Sequence, residues 1–149
     1  MNLILARALD CAAERCRVQP LNGGDALDAP LAAPMIAAGT RIRPGMIVAL
    51  DRDAETPTIR WRFETRPVEA LAGDRLIFLG RQFRFTDARP ADERAIPIRV
   101  GDTVVSLRRQ GGDDVEIVDL VVDGRPLHPE RLEAEFPRIE SVYREAANA

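Results

Sequence analysis

Between residues 41 and 126 the chain is a succession of short apolar runs set among glycine, proline and aspartate turn residues: RIRPGMIVAL, TIRWRF, LIFLGRQFRF, IRVGDTVVSL and VEIVDLVVDG. Short apolar runs punctuated by turn residues suit antiparallel strands. TIRWRF alternates with period two, so Ile59, Trp61 and Phe63 are expected on one side and Thr58, Arg60 and Arg62 on the other. This predicts that Trp61 anchors the core with its two apolar neighbours. Pro44-Gly45 suits the central positions of a type II turn. A hairpin is expected near Gly80-Arg81, and Asp123-Gly124 signals a two-residue turn of type I′.

The flanking segments are less regular. LILARALDCAAERCRVQP fits either a helix or a hairpin with strands at Leu3–Leu9 and Cys16–Leu21, and the strand-rich chain beside it favours the hairpin. NGGDALDAP, residues 22–30, suits a turn or loop. TDARPADERAIP, residues 86–97, has the composition of a linker. A shift of 56 positions aligns Ile42 with Ile98, Arg43 with Arg99, Gly45 with Gly101 and Val48 with Val104, the spacing expected of a repeated β-unit. In the tail, Pro129 and Pro137 are each followed by acids, which suggests one or two short helices, with Ile139, Val142, Tyr143 and Ala146 as an apolar stripe. The expected fold is mainly β: small barrel-like or sandwich modules built from antiparallel hairpins, with a short C-terminal helical segment. Two modules are expected, residues 1–88 and 97–149, with one continuous domain as the alternative.

Several chemistries find no frame. The chain has two cysteines, Cys11 and Cys16, and one histidine, His128, too few and too scattered for a zinc site. On a helix the two cysteines would point about 140° apart; across a tight hairpin they would face each other. They are expected as two buried thiols, on the assumption of a reducing compartment. All 21 basic residues are arginine, so no lysine is present to form a Schiff base or serve a P-loop. No GxSxG elbow accompanies Ser106 or Ser141, and neither phosphate-binding glycine motif occurs. Asp113-Asp114 beside Gly111-Gly112 lacks the spacing of a calcium loop. No metal, cofactor or catalytic residue is assigned. With no apolar run long enough to span a bilayer, the expected setting is cytoplasmic.

Charge is the remaining signal. Residues 41–100 carry 12 arginines against nine acids, whereas residues 101–149 carry six against 11. A net charge of −3 hides this polarity. The interaction candidates are therefore Arg60, Arg62 and Arg84, with Arg41, Arg43 and Arg99, on the positive side, and Glu140, Tyr143 and Glu145 in the acidic tail. The preferred function is a noncatalytic structural or protein-interaction component acting through assembly, the positive region of one copy meeting the acidic region of another. Charge compensation within one chain is the competing explanation. Nucleic acid is the disfavoured alternative partner, because alternation buries the aromatic rings that would stack on bases. A small hydrolase ranks last.

Overall fold

In the computed structural model the described residues are 2–72, 75–84, 98–108 and 115–148, without the side chains of Arg84, Arg108, Arg131 and 141–148. Eleven strands and two helices follow in chain order: β1 (Leu3–Cys11), β2 (Arg15–Pro20), β3 (Leu27–Pro30), α1 (Ala33–Ala37), β4 (Ile47–Asp51), β5 (Thr58–Pro67), β6 (Ala70–Ala72), β7 (Arg75–Phe78), β8 (Arg81–Arg84), β9 (Thr103–Arg108), β10 (Val115–Val122), β11 (Arg125–Pro126) and α2 (Pro129–Asn148). Among the described residues, β11-β10-β9-β5-β4-β1-β2-β3 form an eight-stranded sheet and β6-β7-β8 a three-stranded one. All strand pairings within them are antiparallel.

The ambiguous N-terminus is a hairpin, and its burial explains the ambiguity. Leu3 and Leu5 face one core with Ile47 and Ala49, whereas Ile4, Ala6 and Ala8 face a second core with Val48 and Leu50. Strands covered on both faces show a continuous apolar run instead of alternation, and such a run resembles a helix in sequence. Residues 27–30, expected within a loop, instead form the edge strand β3, pairing Cys16 with Ala29 and Arg15 with Pro30. Pro30, which has no N–H to donate, is tolerated at this edge.

The mainly antiparallel fold and the C-terminal helix agree with expectation, but the sheets do not close into a barrel. The large sheet curls until Leu31, just beyond β3, forms a single parallel bridge to Ile59. There Ala32 N–H donates to the Ile59 carbonyl at 2.8 Å. The second core lies inside this curl, with Met35 of α1 among its buried residues. A third core joins Val68, Leu76 and Phe78 to Val104, Leu120 and Val122, so that the small sheet covers part of the large one.

The 56-residue spacing has a structural counterpart. Met46 N–H donates to Arg43 C=O at 3.1 Å and Asp102 N–H to Arg99 C=O at 3.1 Å, closing two similar turns. Gly45 and Gly101 hold them with φ of 93° and 95°, values that favour glycine at the third turn position. Each turn leads into a strand, β4 or β9, that pairs with the next strand through a one-residue register shift. Val105 and Leu107 nevertheless share the first core with Leu3, Leu5 and Phe63, so strands from both halves meet in one cluster. The β7–β8 and β10–β11 hairpin turns also use positive φ: Leu79 and Gly80 have 54° and 68°, one residue earlier than expected, and Asp123 and Gly124 have 52° and 79°.

Of the one or two short helices expected, the tail forms one, α2, which continues through Pro137. Leu132, Phe136 and Ile139 are buried at positions i, i+4 and i+7 against the first core. Proline forfeits one helical hydrogen bond. Here Pro137 is exposed while Phe136 and Ile139 on either side are held by the sheet, so packing keeps the helix continuous across the lost bond. The side chains of Val142, Tyr143 and Ala146 lie outside the described residues.

Candidate interaction surface

The arginines of TIRWRF do not form one face. On β4, Ala49 is opposite Trp61 and Leu50 is opposite Ile59, which leaves Arg60 as an extra residue in a β-bulge. The bulge interrupts the alternation. Ile59 enters the second core, whereas Phe63 enters the first and Trp61 packs against it, half-buried. The expected grouping of Ile59 with Trp61 and Phe63 is thereby corrected.

Arg60 is directed to α2. Its Nη2 donates to Glu140 Oε2 at 3.1 Å, its Nη1 lies 4.0 Å from Asp51 Oδ2, and its guanidinium carbon stands 5.9 Å from the centre of the Phe136 ring. Asp51 is buried and its Oδ1 also accepts from Asp53 N–H at 3.1 Å. Burial of Asp51 calls for a charged or hydrogen-bonding partner, and Arg60 supplies one while spanning from the sheet to the helix. A second link between the positive and acidic stretches is the exposed Arg99–Asp123 pair, at 2.6 Å. Arg60, Arg99 and Glu140 are thus engaged in ion pairs within the chain.

Arg62 points elsewhere. It lies opposite Val48, and its Nη1 donates to the Arg41 carbonyl at 2.8 Å. Arg41 and Arg43 are exposed on the segment leading into the Pro44-Gly45 turn, held between them by the buried Ile42. Arg7 donates to the Gly45 carbonyl at 3.3 Å, bringing a further guanidinium to that turn. No acidic partner is found for Arg41, Arg43 or Arg62 among the described residues. The result is a cationic surface strip carried by β5 and the 41–46 turn. The side chains of the remaining candidates, Arg84, Tyr143 and Glu145, lie outside the described residues.

Compared with known proteins, the chain matches no family model, no curated relative and no solved structure.

The groups considered for chemistry are apart and differently occupied. Ser106 is buried and its hydroxyl donates to the Glu64 carbonyl at 3.4 Å. His128 precedes α2: its backbone N–H donates to Asp119 Oδ1 at 3.1 Å, and its Nδ1 lies 3.9 Å from Glu130. Among the described residues no three His, Cys, Asp or Glu side chains are grouped to hold a metal ion, and no helix is long and apolar enough to cross a membrane. Asp113-Asp114, the linker at 86–97 and the side chain of Ser141 lie outside the described residues.

Two features carry no sequence signal. Asp119, almost fully buried, accepts Leu120 N–H at 2.7 Å as well as His128 N–H. It follows a bulge at Val118, between the pairs Ile117–Ser106 and Asp119–Val105. The Arg60–Glu140 contact joins residues 80 positions apart, beyond any local pattern.

Proposed function

We propose that the chain is a noncatalytic protein-interaction component that associates through the Arg41, Arg43 and Arg62 strip. The observation that carries this reading is the division among the arginines. Arg60 and Arg99 are compensated internally, whereas these three stay exposed without an acidic partner among the described residues. A complementary surface exists on the same chain: Glu130 and Glu133 are exposed in the first turns of α2. Contact between the strip of one copy and that acidic turn of another is heterologous, and it produces a ring or a filament according to whether the rotation closes. The cytoplasmic setting expected from the sequence belongs to this proposal.

Nucleic acid would meet the same guanidinia, but Trp61 packs toward the α2 side, so the ring beside Arg62 in sequence is not available as a stacking platform next to it. Light scattering at low and high salt tests the proposal. The wild type should exceed monomer mass at low salt and return to monomer as salt screens the contact. Arg41→Gln, Arg43→Gln and Arg62→Gln together should remain monomeric with unchanged circular dichroism. A wild-type monomer at every salt and concentration refutes self-association. Oligonucleotide binding whose log affinity falls with log salt at a slope of about −2.7, as for three duplex phosphate contacts, would favour nucleic acid instead.

A further inference from the structure

Cys11 and Cys16 are directly opposed across the β1–β2 hairpin, with their sulfurs 2.7 Å apart. The backbone suits a covalent bridge. Ala12 N–H donates to Arg15 C=O at 2.8 Å, so the adjacent Cys11–Cys16 pair occupies the non-hydrogen-bonded position of the ladder. Opposed α-carbons at such positions are about 4.5 Å apart, inside the range that disulfides span. Both residues are free thiols. They differ in access: Cys16 is 2% exposed within the second core, beside Ala29 on β3, whereas Cys11 is only half-buried.

We propose that Cys11 and Cys16 are a thiol–disulfide exchange site, oxidised by small-molecule disulfides to an intrachain bond. With glutathione disulfide as oxidant, the Cys11 thiolate attacks one glutathione sulfur. The glutathione S–S bond breaks, and the first glutathione leaves as a thiolate that takes up a proton. Cys16 then releases its proton to solvent and its sulfur attacks Cys11 Sγ, breaking the mixed disulfide and expelling the second glutathione. The protein loses two electrons and two protons, and glutathione disulfide becomes two glutathiones. Cys16 suits the resolving role. It is the less accessible sulfur, so Cys11 meets the oxidant first. Burial, its contact with Cys11 and the nearby charges of Cys11 and Asp10 push the Cys16 pKa up to about 12, and the part due to the Cys11 thiol and charge is removed once Cys11 is held in the mixed disulfide.

The bond would fasten the hairpin tip. The Glu14 backbone carbonyl in that tip accepts the Leu31 N–H at 2.9 Å, so the site sits where the curl of the sheet is drawn together. This assignment is independent of the arginine strip.

The test incubates the full chain in glutathione buffers of increasing oxidised fraction, followed by acid quench, alkylation of residual thiols and intact-mass measurement. The wild type should lose both alkylatable thiols and two hydrogens in mass, without a retained glutathione and without a disulfide-linked dimer. Cys16→Ala should retain one glutathione on Cys11, and Cys11→Ala should stay unmodified while folded. Two free thiols in fully oxidised buffer, a stable glutathione adduct on the wild type, or an interchain disulfide would each overturn the proposal. Circular dichroism identifies a variant that fails to fold, and the wild-type masses decide the question without it.

Discussion

Replacement of Asp119 by alanine should be among the most damaging single changes in the chain, although nothing in its sequence context marks it. The carboxylate is 1% exposed and accepts two backbone N–H groups, Leu120 at 2.7 Å and His128 at 3.1 Å. Those bonds join the bulge in β10 to the residue before α2, and Leu127 N–H returns to the Leu120 carbonyl at 2.8 Å. A hydrogen bond to a charged group is worth about 1.5 to 3 kcal/mol, and an orphaned buried donor costs about 1 to 3 kcal/mol. Leu120 is fully buried and His128 only partly, so the expected loss for Asp119→Ala is about 3 kcal/mol. Asp119→Asn keeps one carbonyl oxygen as acceptor and should lose about 1 kcal/mol. With a urea m-value near 2 kcal/mol/M, the unfolding midpoint should fall by about 1.5 M for alanine and about 0.5 M for asparagine. Parallel urea titrations followed by circular dichroism give both values. An alanine midpoint within about 0.3 M of wild type would refute the bridging role; equal losses for both variants would show that charge, and not acceptor geometry, is what matters.

The bulge at Arg60 makes a second prediction: Phe63→Ala should cost about 3 to 5 kcal/mol, and Trp61→Ala about 2 kcal/mol because its ring is only half-buried. Urea unfolding compares them directly, and a larger loss for Trp61 would contradict the bulged packing. A third concerns pH. The Cys16 pKa rises from 9.0 to about 12 on folding, so its contribution is complete below pH 9.0 and is lost as pH climbs toward 12. In that window the unfolded thiol is ionised while the folded one keeps its proton, and wild-type stability should fall relative to Cys16→Ala by up to about 1.4 kcal/mol per pH unit. Parallel pH dependences in the two proteins would contradict the shift.

How much was legible in the sequence follows from where the controlling contacts lie. Turns are local, so Pro44-Gly45 and Asp123-Gly124 announce themselves through the residues that tolerate positive φ. The hairpin at LIFLGRQF is also local, displaced by one residue because Leu79 itself adopts φ 54°. Burial on both faces is not local. β1 and β4 lose the alternation that identifies a strand because the sheet curls around one core while α2 covers the other. Bulges are still less visible: one extra residue at Arg60 reverses the side to which Ile59 belongs relative to Trp61, and only the partner strand reveals it. Of the proposed interaction residues, composition identified the arginines but could not separate Arg60, 80 positions from Glu140, from Arg62, which reaches the Arg41 carbonyl.

That separation bears on how association could occur. Had strict alternation held, Arg60 and Arg62 would have offered one double-charged face, and any partner would have competed with Glu140 for both. The bulge instead commits Arg60 to Asp51, Phe136 and Glu140 on the α2 side and leaves Arg62 opposite Val48, in the row that faces away from α2. A partner on the Arg41, Arg43 and Arg62 strip therefore need not displace α2 or break its ion pair. The acidic turn at Glu130 and Glu133 is separate from the Arg60 contact, because Glu140 lies about two to three turns further along the helix. One chain can then use both surfaces at once, and continued head-to-tail association requires that independence.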